Sequence, residues 1–144
     1  MKDITARDLG IEVADDLGLF RWLLASFLMG KPIRSTVALK AYRILVHEQG
    51  LDTPQKLVQI SHSVLVRLLG QAGYRRYDES TARQLHALGN KVEVELAAQL
   101  EALQGATGIE GFKRWLMEFE GIGPKTVEIF LREGRAHLTT LVGF

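Results

Sequence analysis

The chain contains no cysteine. That one absence excludes disulfides, thiolate zinc sites, iron–sulfur clusters and a thiol nucleophile together. Long apolar runs are missing too: the longest uncharged apolar stretch is residues 22–29, far short of the ~20 residues that span a bilayer. Residues 1–16 carry Asp3, Asp8, Glu12, Asp15 and Asp16, the wrong charge for a secretory signal. No window of alternating β-branched residues is long enough to make a sheet, and no repeat, low-complexity tract or linker interrupts the chain. What remains is 144 residues, 47% hydrophobic and 24% charged. That composition excludes a disordered chain. The length suits one domain able to bury roughly two thirds of its unfolded surface. The expectation is a soluble, intracellular (cytoplasmic), single-domain protein with no membrane partner.

The formal net charge of +1 hides a segregated distribution. Residues 1–16 set five acids against Lys2 and Arg7, whereas residues 31–47 carry Lys31, Arg34, Lys40 and Arg43 with no acid. Residues 67–83 add Arg67, Arg75, Arg76 and Arg83 against Asp78 and Glu79, and residues 93–101 hold three acids and no base. Basic segments alternating with acidic ones suit a positive face on a nearly neutral body, as nucleic-acid binders have. On charge alone, a mixed solvated surface is the alternative.

The apolar periodicity is helical nearly throughout. Leu19, Phe20, Leu23, Leu24, Phe27 and Leu28 form a stripe that stops at Gly30. Beyond Pro32, Ser35 is a candidate N-cap for a helix carrying Val37, Ala41, Ile44 and Leu45 as far as Gly50. Thr53-Pro54 places a cap before a proline at the first helical position. Either Ser61 or Ser63 opens the next helix, which ends at Gly70. The longest helical stretch runs from about 78 to 103, with a possible break at Gly89-Asn90. Two more helices follow, one holding Phe112, Trp115, Leu116 and Phe119, the other about 124–132. The expected fold is all-α, a compact bundle of six to eight helices, with Trp22 and Trp115 in its core.

Residues 112–132 carry the most information. They read as helix, tight turn, helix around Gly121-Ile122-Gly123-Pro124-Lys125-Thr126. Gly121 and Gly123 allow positive φ and close backbone approach, and Ile122 between them can plug the gap between the helices. Pro124 starts the second helix, leaving the N–H groups of Gly123, Lys125 and Thr126 unpaired. Bare amides at a helix N-terminus attract anions, a phosphate above all, and Lys125 adds a full positive charge.

This run resembles the helix-hairpin-helix motif, which binds a DNA phosphate through backbone N–H groups without reading sequence. More widely, residues 19–131 resemble the single-domain core of the endonuclease III-like DNA glycosylase superfamily. Leu23 to Met29 is similar to its first core helix, Asp52-Thr53-Pro54 to a helix start placed alike, and Gly73-Tyr74 to the turn into its long helix. The resemblance implies a DNA partner, mainly the phosphate backbone of damaged or abasic duplex, contacted through residues 121–126. It implies base-excision chemistry on an extruded base, with Lys125 on the position of the Schiff-base nucleophile. Phosphate neutralisation by Lys125 is the alternative role. The family's aspartate, about five helical turns past that lysine, has no counterpart, because no aspartate follows Asp78. Glu128 and Glu133 are the only acids beyond Lys125, and His137 reads as a surface residue, with a weak general base as the alternative. A non-catalytic DNA- or structure-binding module therefore stands as the second reading, and a helical protein–protein adaptor as a third. Lys31 lies nearest the place where relatives carry a glutamine that fills the hole left by the flipped base. Tyr74 or Tyr77 is a candidate to stack on or wedge between bases, with Arg75 and Arg76 on the backbone; partial core is the alternative for an aromatic entering a helix. The resemblance further implies a monovalent cation held by hairpin carbonyls; no other cofactor or metal is expected, and no iron–sulfur cluster.

Overall fold

Asp15 opens the first long helix. Its carboxylate accepts the Gly18 amide at 2.7 Å, satisfying one of the donors that a helix start leaves unpaired. The computed structural model describes residues 4–105 and 108–141. In it, α1 (Asp16–Met29) buries Leu19, Phe20, Trp22, Leu23, Leu24, Phe27 and Leu28. A helix apolar on nearly every side belongs at the centre of a bundle. α2 (Ser35–Tyr42) runs directly into a π-helical stretch at Arg43–Glu48. Then come α3 (Pro54–Gln59), α4 (His62–Ala72), α5 (Asp78–Glu101), α6 (Gly108–Met117) and α7 (Pro124–Leu141). α2 and α7 pack on α1, α3 and α4 on α5, and α6 on α7. The described residues thus form an all-helical bundle of seven α-helices without a strand, joined by one hydrophobic core. None of these helices is long and apolar enough to cross a membrane.

Several sequence signals hold and others yield to packing. Thr53 accepts the Lys56 amide at 3.2 Å with Pro54 in the first turn of α3, and Ser61, not Ser63, caps α4. Ser35 is not a cap; it is the first helical residue, after an Arg34 that makes no side-chain cap bond. α4 passes through Gly70 and ends at Gly73, whose φ of +117° closes it. α5 is unbroken at Gly89-Asn90, because Leu85, Leu88 and Val92 on its buried face tie it to its neighbours. α7 extends nine residues past the expected end at Arg132, since Gly134 packs on Phe130 and Leu19 and Leu138 is fully buried. Trp22 and Trp115 are core residues, as expected.

Candidate functional site

The C-terminal end of α1 is where three separate parts of the chain meet. The Tyr74 hydroxyl, from the α4–α5 turn, donates to the Leu28 carbonyl in the last turn of α1 at 3.3 Å. Thr126, in the first turn of α7, packs on Gly30 just beyond it. Gly30 has an ordinary right-handed φ of −75°; glycine is needed because a β-carbon there would overlap the Thr126 hydroxyl. Lys31 follows and reaches the α6–α7 turn. The end of the most buried helix thereby fixes Lys31, Arg75, Arg76 and the start of α7 relative to one another.

The α6–α7 corner is built from short bonds and one plug. The Glu118 and Phe119 amides donate to the Trp115 and Leu116 carbonyls at 3.1 and 3.2 Å, tightening the end of α6. Gly121 takes φ +89°, the left-handed region that favours glycine. Ile122 then turns inward and is buried, its amide donating to the Phe119 carbonyl at 3.2 Å. The first bond of α7 runs from the Val127 amide to the Gly123 carbonyl at 3.1 Å. Among the described residues, the N–H groups of Gly123, Lys125 and Thr126 have no acceptor. Pro124 and Lys125 are exposed and Gly123 is half-buried, whereas Thr126 is only 2% exposed. Of these three, the amides that belong to residues with exposed surface are those of Gly123 and Lys125.

Beside the corner lies a polar network that the sequence did not announce. Lys31 is half-buried, with its Nζ 4.4 Å from the centre of the Phe27 ring and hydrogen-bonded to Gln84 Oε1. Burial pulls its pKa below the usual lysine range; Glu120 opposes that shift and Arg83 adds to it. Arg83 Nη1 donates to both Glu120 carboxylate oxygens, at 2.7 and 2.6 Å. That bond, first among its causes, holds the Glu120 carboxyl below its ordinary value, with a Gln84 hydrogen bond acting in the same direction. Gln84 sits mid-helix in α5, where no local pattern marks it. Glu120 carried one available signal, its position directly before Gly121.

The expected site residues divide accordingly. Gly121, Gly123, Pro124, Lys125, Arg75 and Arg76 are at the surface or close to it, and Lys31 is beside the corner. Tyr74 is withdrawn from any base-stacking role: it is fully buried, and burial pushes its phenol pKa up. Tyr77, at 38% exposed, is the aromatic left at that turn. The side chains of Ile122 and Thr126 are interior, so these two act as plug and packing residue and not as side-chain contacts. Glu133 accepts the Ala6 amide at 2.6 Å and Glu128 is exposed on α7. His137 is half-buried, not a surface residue; its Nε2 has no partner among the described residues. Two corner carbonyls, of Phe119 and Gly123, each accept one N–H group and keep a second lone pair. A separate groove of about 900 Å³ between α6 and α7 is lined by Met117, Val127 and Leu131 among others; of the expected site residues it includes Pro124. No protein-family model, curated protein or solved structure matches the chain.

Proposed function

We propose that this protein binds duplex DNA through its phosphate backbone, with the α6–α7 corner acting as a helix-hairpin-helix. The observation that carries this reading is the pair of acceptor-free amides of Gly123 and Lys125 at the start of an 18-residue helix. Such a terminus bears roughly half a positive charge, its N–H groups point outward at an anion, and the exposed Lys125 ammonium sits on the same turn. Arg75, Arg76 and Lys31, held at the same end of α1, supply further cations for neighbouring phosphates. None of these contacts reads a base edge, so the binding is largely independent of sequence. In this reading Lys125 neutralises phosphate and forms no imine, since the aspartate that the resemblance sets beside the nucleophile has no counterpart after Asp78.

Salt dependence tests this. Each neutralised phosphate contributes about 0.9 to the slope of log affinity against log salt. Three to four contacts therefore give a slope of about −3, measured by fluorescence anisotropy with a short labelled duplex. Lys125→Ala should weaken binding and flatten the slope by about 0.9. An affinity indifferent to salt, or untouched by Lys125→Ala, contradicts the reading.

A further inference from the structure

The side chains around Glu120 come from different parts of the chain, and two of them bond its carboxylate. Arg83 and Gln84 belong to α5, Lys31 to the segment after α1, and Glu120 itself to the turn just before Gly121. Arg83 grips both carboxylate oxygens through one nitrogen, Gln84 bonds the same carboxylate, and Lys31 is joined to Gln84. A β-carbon on Gly121 would lie 2.9 Å from Lys31 Nζ and would overlap the Gln84 carboxamide. The missing side chain is what lets the turn settle into this nest of donors.

A guanidinium and a carboxamide on one anion, with an ammonium beside them, make a donor set that also recognises phosphate. Gly121, which touches the nest, is two residues from Gly123, so these two backbone positions are at most ~7 Å apart. We infer that Arg83, Gln84 and Lys31 form a second phosphate-binding site, which Glu120 fills in the free protein and vacates when duplex DNA seats on the corner.

The inference rests on the proposed DNA-binding reading and deepens it. Both side chains of the Arg83–Glu120 pair are more than half exposed, at 57% and 55%, and exposed ion pairs are weak and easily exchanged. Left in place, Glu120 would set a negative charge beside the incoming phosphates. Swung into solvent, it leaves Arg83 free to pair with a phosphate oxygen. In the free protein the carboxylate then opposes binding of any polyanion that does not reach the nest.

The test uses the full chain, the same labelled duplex and the Glu120→Gln variant. Affinity at about 0.1 M salt should rise roughly fivefold, with a steeper salt slope. Arg83→Gln should erase that gain in the Glu120→Gln background and cost less in the wild type, where Glu120 must first be displaced. Glu128→Gln removes an equal charge from α7 without touching the nest. Its effect should simply add to that of Arg83→Gln, which separates a specific exchange from general charge. If Glu120→Gln leaves affinity unchanged or lowers it, or if the Arg83 and Glu120 effects merely add, the second site is overturned. Should Lys125→Ala still flatten the salt slope in that case, the corner reading survives without the nest. If no variant binds DNA in a salt-dependent way, both fall.

Discussion

Gly121→Val is expected to reduce duplex affinity by roughly tenfold or more, the loss of one charge-assisted hydrogen bond to phosphate being worth about that much. Two physical causes act together. Valine is strained at the φ of +89° that this turn requires, a penalty of about 1–3 kcal/mol. Its β-carbon would also overlap the Gln84 carboxamide and crowd Lys31 Nζ; those flexible side-chain ends can swing aside, so the strained backbone is what shifts the turn. Such a shift carries the Gly123 and Lys125 amides out of register with each other and with Arg75 and Arg76. Gly121→Ala should show the same backbone penalty with less crowding and an intermediate affinity. Anisotropy titrations run well below each variant's melting temperature distinguish this local change from unfolding. Wild-type affinity in Gly121→Val would mean that the turn does not set the binding surface.

Trp22→Ala should lower stability by about 3–5 kcal/mol, the usual cost of emptying a core tryptophan site. Trp22 is fully buried in α1, and its Nε1 donates to the Phe130 carbonyl of α7 at 3.0 Å. The substitution removes the packing and the bond that tie the central helix to the helix bearing the corner. Against a total stability of about 5–15 kcal/mol, this is a large fraction, and the melting temperature should fall by about 10 °C. Trp22→Phe keeps most of the burial but loses the N–H donor, so it should cost about 1–2 kcal/mol. Urea titrations followed by circular dichroism measure both. Equal, small effects would show that α1 and α7 are not coupled through this residue.

What could be read from the sequence was whatever has a local physical cause. The Thr53-Pro54 start of α3 is visible because a hydroxyl cap and a ring-fixed φ act within one turn. The corner at residues 121–124 is visible because glycine and proline leave only a few backbone paths. Which residues of the turns the bundle would bury was not legible. Tyr74, set before two arginines, looked like an outward aromatic, yet the turn tucks it under the end of α1. Thr126 stands among the residues expected to face a phosphate but packs on Gly30, a contact between residues far apart in sequence. The polar stretch after Arg132 gave no sign of helix, because it is interrupted by Gly134, a poor helix former that packing holds in α7. The π-helical stretch at Arg43–Glu48 has no local marker either. The Arg83–Glu120 pair joins α5 to the turn, and only the folded chain brings those residues together.

Everything depends on whether the start of α7 meets an anion. Two-dimensional NMR of the ¹⁵N-labelled protein, titrated with a short duplex at low salt, observes those amides one by one. The largest shifts should fall on Gly123 and Lys125, with smaller ones at Gly121, Arg75 and Arg76, and all should retreat as salt is added. If the Gly123 and Lys125 signals stay still while shifts gather on Met117, Val127 and Leu131, the groove between α6 and α7 is the working surface and the phosphate-gripping corner is contradicted.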